Sequence, residues 1–392
     1  MIVKEIKKDI WAIITNDWDR RLFDELIPLP DGTSYNSYFL KDEKNVLVDS
    51  SDPRTEKKLF EAIEKLKIEK IDYIVSNHSE QDHSGAIPKL IKKFKEARII
   101  TSEKGKKYLI DLLLIPEGNF ITVNDGEEIN IGKKRLKFIE TPWVHWPETI
   151  LTYEIQNKIL FPCDLFGSHL ATSKIWASEN DFLSGAKRYY AEIMMPFRNH
   201  IKKHIEKLKN YKIEIIAPSH GPIYDNPLVI LDAYADWISD NVKNQVVIIY
   251  VSMHGSIKKA IDYFVEKLIE KDIEVKPFNL TYTDIGELAI SLVDCATVVI
   301  GTPTVLTGPH PYAFYASYLF KILRPKTKFV SLIISFLWGT NVIKYYEELL
   351  KGINVEIIEP VIFNGYPKES DFGKIEKLAD KIYQKHKELK II

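Results

Sequence analysis

From Gln245 onward the chain alternates apolar strands with helical patterns: Val246 to Val251, an amphipathic stretch to Lys271, Val298 to Ile300, then Phe329 to Ile334. Parallel neighbours need a crossover long enough for a helix, and that helix covers a sheet face, so this alternation specifies a doubly wound parallel sheet. The chain before that point follows another rule. Short β-branched runs at Trp11 to Thr15, Asn45 to Asp49, Tyr73 to Ser76, Ile99 to Thr101, Leu136 to Glu140, Ile150 to Ile155 and Lys158 to Phe161 read as strands. Pro30-Asp31-Gly32 and Asn124-Asp125-Gly126 punctuate them, supplying turns through positive φ or side-chain hydrogen bonds. The polar stretch Ser239 to Gln245 is the seam, which predicts a meandering sheet domain over 1–243 and a second domain over 244–392. A chain of 392 residues also exceeds what one hydrophobic core usually organises.

Charge and composition narrow the partners. With 54 basic against 55 acidic residues, no field favours nucleic acid or an anionic membrane. No eighteen-residue apolar stretch and no signal-peptide pattern is visible, since Glu5 and Asp9 interrupt the basic start. Cys163 and Cys295 stand far apart in no C-x-x-C pair, which argues against a disulfide framework or a thiolate metal site and points to a reducing cytoplasm.

The densest chemistry lies in Asn77-His78-Ser79-Glu80-Gln81-Asp82-His83-Ser84-Gly85, directly after an apolar strand. His78, Glu80, Asp82 and His83 in one loop can serve two adjacent cations, with Ser84-Gly85 letting the next helix begin. His145, Asp164 and His220 each follow a strand and complete a shell. Imidazoles and carboxylates in this mix suit iron, manganese or zinc. His169, in Gly167-Ser168-His169, is a further candidate for the surroundings of the centre, against the reading that it is a structural histidine.

The second domain opens with Ser252-Met253-His254-Gly255-Ser256-Ile257 after its first strand. A hydroxyl- and glycine-bearing loop at a helix start offers free N–H groups to a phosphate, and the absence of G-x-G-x-x-G favours a monophosphate over a dinucleotide. Gly301-Thr302-Pro303-Thr304-Val305-Leu306-Thr307-Gly308 and Ser335-Phe336-Leu337-Trp338-Gly339 follow two further strands. Ligands of open parallel sheets sit beyond the carboxyl ends of the strands, so the three loops converge, with Phe336 and Trp338 placed to flank a flavin ring.

The order of the metal-type segments resembles the metallo-β-lactamase superfamily, whose first motif is H-x-H-x-D-H. Here Glu80 replaces the second histidine, and an added anion favours hard iron over zinc. The H-x-E-x-D-H form resembles the flavodiiron (A-type flavoprotein) family, as do Asp17-Trp18-Asp19-Arg20-Arg21-Leu22-Phe23, Gly32-Thr33-Ser34-Tyr35-Asn36-Ser37-Tyr38 and Tyr189 to Pro196. The resemblance implies an α/β chain: a metallo-β-lactamase-like αββα domain, then a flavodoxin-like FMN-binding domain. It places His78, Glu80 and His145 on one iron, Asp82, His83 and His220 on the other, and Asp164 between them. Ile257, Leu306 and Leu337 depart from the family pattern of threonine, asparagine and glycine in the FMN loops. The family reduces dioxygen to water or nitric oxide to nitrous oxide, as head-to-tail homodimers or dimers of dimers. No C-x-x-C pairs follow the flavin domain, so the donor is expected to be external. The Lys-, Glu- and Ile-rich composition resembles that of thermophile proteins; with the family's methanogen branch in view, reduced coenzyme F420 stands beside a small redox protein as the expected donor. The alternative class is a dinuclear zinc hydrolase.

Overall fold

The computed structural model describes residues 1–177 and 182–392, which form two compact units, Met1–Ile238 and Ser239–Ile392. The strand that opens the second unit starts at Lys243 and lies whole within it. The first unit contains two sheets. One runs Ile2–Lys7, Ile10–Asp17, Thr33–Leu40, Val46–Val48, Tyr73–Val75, Arg98–Thr101 and Phe120–Thr122, antiparallel at its first pairings and parallel from Val46 onward. The other runs Glu128–Asn130, Arg135–Glu140, Ile150–Glu154, Ile159–Phe161 and Ile215–Ile216.

Their facing sides share one core. Ile14, Tyr38, Val48 and Ile100 from the first sheet meet Leu136, Phe138, Ile159 and Phe161 from the second. Behind the first sheet, Ile13, Leu47, Ile74 and Ile99 pack on Leu59, Ala62 and Ile63 of helix Glu56–Lys65, on Leu90 of Ile87–Lys93 and on Leu109 of Glu103–Leu113. Each large side chain so buried contributes roughly 1.5–3 kcal/mol before entropy is counted. Helix Glu103–Leu113 starts where it does because Ser102 Oγ accepts the Gly105 N–H at 3.0 Å.

In the second unit five parallel positions run Glu274–Asn279, Lys243–Tyr250, Cys295–Val305, Phe329–Phe336, then Glu356–Ile357 and Val361–Asn364 sharing the last edge. This is the 2-1-3-4-5 order of flavodoxin-like sheets. On one face, helices Ser256–Ile269 and Glu369–Glu388 bury Ile257, Phe264, Ile375 and Ile382 against Val246, Ile248 and Ile333. Among the described residues no helix is long and apolar enough to cross a membrane.

The predicted strands fall within a few residues of their positions, and the differences have causes. Thr33–Leu40 was not read as a strand because Thr, Ser and Asn fill it, yet every residue in it is buried. Glu274–Asn279 hid behind alternating charges and Pro277, which an edge position tolerates. The strand expected to end at Ile300 continues to Val305, since Gly301, Thr302 and Pro303 still pair with Ile333, Ile334 and Ser335.

The C-terminal helix is fastened by a buried imidazole. His386 Nδ1 donates to Asn244 Oδ1 at 2.7 Å and Nε2 accepts the Thr297 hydroxyl at 2.7 Å. This network suits the neutral ring, and burial lowers its pKa to about 4. The unfolded chain takes up this proton near pH 6.5 and the folded one only near 4, so the second unit loses stability as pH falls through that window. Denaturant unfolding at pH 7, 5.5 and 4.5 should show that slope, and His386→Gln should be less stable at pH 7 but flatter with pH.

Candidate functional site

Two groups of ligating side chains meet at one end of the first unit. His78, Glu80, His145 and Asp164 offer atoms within 4.8 Å of one another, as do Asp82, His83 and His220. His78 lies in the loop that follows the strand Tyr73–Val75. The helix there begins at Gln81, not after Gly85, so Asp82 and His83 share one helical turn, Gln81–Ser84, with Glu80 at its cap position. His145, Asp164 and His220 come from loops beyond strands of the second sheet.

Asp164 stands between the groups, and its oxygens divide. Oδ2 is 3.6 Å from His78 Nε2 and 3.5 Å from His145 Nε2, while Oδ1 is 3.0 Å from His83 Nε2 and 3.4 Å from His220 Nε2. Glu80 Oε2 lies 3.1 Å from both His78 Nε2 and His145 Nε2. Asp82 reaches His83 Nε2 at 3.3 Å and His220 Nε2 at 3.2 Å. Donors ~2.1 Å from a common ion stand about 3.0 Å apart at a right angle and about 3.4 Å at the tetrahedral angle, so these spacings fit the edges of two coordination shells. Among the described residues, both Asp82 oxygens, His83 Nε2 and Asp164 Oδ2 are buried without a hydrogen-bond partner. Buried polar atoms are rarely left so unless an ion or a water takes them.

The far sides of the ligands are anchored. His78 Nδ1 donates to Glu148 Oε1 at 2.7 Å, and His220 Nδ1 to Ser34 O at 2.6 Å. Asn36 Nδ2 donates to Pro218 O and Gly221 O, and Tyr38 OH to Pro218 O, which explains the polar filling of strand Thr33–Leu40: its side chains hold the His220 loop. Gly221 has φ +76° and passes Ser168 so closely that a Cβ would lie 2.1 Å from Ser168 Oγ. Asp49 accepts Asn77 N and Nδ2 at 2.9 Å each and Ser219 Oγ at 3.1 Å, clamping the neighbours of His78 and His220 together. Glu148 and Asp49 were not singled out in the sequence. The only hint was their place beside strand ends, shared by many residues of no consequence.

Electrostatics follow the geometry. Burial presses the His145 and His220 imidazoles down, but Asp164 with Glu80 or Asp82 raises them to about 9 and about 10. Burial would raise Glu80 and Asp164, yet the facing histidines hold both carboxyls below their usual range. Burial pushes the thiol of neighbouring Cys163 well up, and its sulfur lies within 4.8 Å of potential ligand atoms of His83 and Asp164. The Tyr189 hydroxyl donates to Asp164 Oδ1 at 2.8 Å, and burial with Asp164 keeps that proton in place. Tyr190, Met194 and Met195 are core. His169 packs 4.8 Å from the rings of His220 and Tyr189, with Nδ1 2.9 Å from Thr33 Oγ1, and burial keeps it neutral.

In the second unit a cleft of about 420 Å³ opens beyond the strand ends, lined by Met253, His254, Ser256, Pro303, Thr304, Ser335, Phe336, Leu337, Trp338 and Gly339, together with Gly365 and Tyr366. Gly365 and Tyr366 were missed, although Asn364-Gly365 after an apolar run is a turn signal. Other predicted residues do not line it. Ser252 Oγ accepts the Lys258 N–H, and Gly255 supplies φ +88° before helix Ser256–Ile269. Ile257 is fully buried against the sheet, where a hydroxyl would be shut away from any ligand. Thr302 Oγ1 accepts the His310 N–H, and Val305, Leu306 and Gly308 belong to a hairpin arm in which Leu306 is 90% exposed.

A family described as "ODP family beta lactamase" matches residues 33–221. The nitric oxide reductase of Moorella thermoacetica is 32% identical over 387 residues, 96% of this chain and 97% of that protein. The coenzyme F420H(2) oxidase of Methanocaldococcus jannaschii is 32% identical over 412 residues, 99% of this chain and 98% of that protein. The chain belongs to the flavodiiron protein family. The structure of rubredoxin oxygen:oxidoreductase from Desulfovibrio gigas superposes with a TM-score of 0.95 at 28% identity, covering 98% of this chain and 99% of that one. This flavodiiron protein is therefore an oxidoreductase with metallo-β-lactamase-like and flavodoxin-like units, and the family implies a diiron centre and FMN. The residues fit both: two donor shells with unsatisfied inward atoms, and an aromatic-edged cleft at a helix start. Asp164→Ala should lower iron to well under one atom per chain by elemental analysis while leaving flavin absorbance unchanged.

Proposed function

We propose that this flavodiiron protein reduces dioxygen to water, or nitric oxide to nitrous oxide, at two irons in its first unit fed by FMN in its second. Asp164 carries the reading, because its two oxygens face separate donor sets. His78, Glu80 and His145 would hold one iron, Asp82, His83 and His220 the other, and Asp164 would serve both. When bound, the iron pair and the flavin supply the electrons for reducing a diatomic oxidant. The protein's own groups set the conditions: Glu80 adds the anion that favours iron over zinc, and Asp164 fixes the spacing. Tyr189 holds a proton beside the bridging carboxylate.

In the cleft, N–H groups at the start of helix Ser256–Ile269 would hold the FMN phosphate, and Phe336 and Trp338 would flank the ring. Reduced coenzyme F420 is the proposed donor, supported by likeness to the coenzyme F420H(2) oxidase and by composition; a small redox protein is the competitor. The proposed setting is the cytoplasm and the working form a head-to-tail homodimer, singly or in pairs.

Anaerobically purified protein should contain two irons and one FMN per chain; two zincs without flavin would sink the reading. Mixed in stopped flow with dioxygen and with nitric oxide, the reduced enzyme should be reoxidised rapidly by at least one, and indifference to both would overturn the assignment. Steady-state turnover with reduced F420 and with rubredoxin identifies the donor by the larger kcat/KM.

A further inference from the structure

The imidazoles of the centre are anchored unequally. His220 gives its Nδ1 proton to a neutral backbone carbonyl, whereas His78 gives its own to the carboxylate of Glu148, and both side chains of that pair are wholly shielded from solvent. The same Glu148 Oε1 accepts the Ser79 N–H at 3.0 Å, and the Glu148 carbonyl accepts the Ser102 hydroxyl at 2.7 Å. The residue is thus fixed by the chain that carries His78 and by the cap of helix Glu103–Leu113. Its other oxygen, Oε2, is buried with no hydrogen-bond partner among the described residues.

A buried carboxylate with one bare oxygen is unfavourable unless a positive partner compensates it. Packing alone does not call for the charge, because glutamine has the same size and its oxygen could accept both N–H groups. A carboxylate on Nδ1 does something an amide does not. It draws the ring proton toward itself and makes Nε2 the stronger donor to a cation.

We propose that Glu148 is a positioning residue acting through His78, and that its charge makes the iron position of His78, Glu80 and His145 the harder of the two to reduce. The inference rests on the ligand assignment made above. It gives the two positions different potentials although each has three terminal protein ligands and shares Asp164.

The test compares wild-type protein with Glu148→Gln, Glu148→Asp and Glu148→Ala, reading iron per chain and an EPR redox titration of the mixed-valent centre. Glu148→Gln should keep its iron and FMN, while the lower of the two iron potentials rises and the maximal mixed-valent signal falls. Glu148→Asp, which restores the charge, should return both toward wild type. Glu148→Ala should lose iron toward one atom per chain. Wild-type potentials in an iron-replete Glu148→Gln protein would overturn the proposal, as would iron loss in Glu148→Gln as deep as in Glu148→Ala, which would leave only a packing role. A wild-type chain without two irons overturns the ligand assignment itself and this proposal with it.

Discussion

A single carboxylate divides its oxygens between two sets of donors, and most of the first unit is arranged so that it can. Asp164 emerges from the second sheet, three residues past Phe161, and must meet His78, which emerges from the first. Neither strand end could reach the other if the sheets were not held at a fixed separation by the core of Tyr38, Val48, Phe138 and Phe161 between them. Asp49 refines this spacing by binding Asn77 and Ser219, one neighbour from each ligand loop. Asn77 in turn accepts the Thr152 hydroxyl at 2.7 Å, joining the two sheets directly. The donor geometry is therefore a property of the sandwich rather than of any one loop.

The electrostatic balance of the region follows from that geometry. Glu80, Asp82, Asp164, Glu148 and Asp49 are all buried, and so are His78, His83 and His220. An isolated ionised group in such a place is strongly unfavourable, and here each carboxylate faces an imidazole or an N–H donor. Compensation by protons alone is incomplete, as the bare oxygens of Asp82 and Asp164 show. A cation satisfies those atoms and the facing imidazoles at once. In the second unit, strand ends and the start of helix Ser256–Ile269 border one cleft.

What could be read from the sequence was whatever has a local pattern. His78 to His83 is recognisable because its ligands are contiguous, and the second unit is recognisable because each strand is followed by its covering helix. Strand Thr33–Leu40 was opaque for the opposite reason: its polar residues satisfy a loop some 180 positions away in the chain, Asn36 to Pro218 and Gly221. Glu148 looked like an ordinary residue after Pro147 until the fold brought it to His78. Ile257 illustrates the converse. Its place in the loop before the helix put it against the flavin in the sequence reading, but its side chain belongs to the helix–sheet core. Long-range partners, not local propensity, decide these cases.

That the donors come from both sheets has a thermodynamic consequence. Ions held between His78 and Glu80 on one side and His145, Asp164 and His220 on the other would act as cross-links across the mouth of the sandwich. Whatever free energy they release on binding is also free energy that opening the sheets must supply, because the separated strand ends offer no comparable site. The centre would in this sense be a rivet, tying the domain's resistance to unfolding to the supply of its metal.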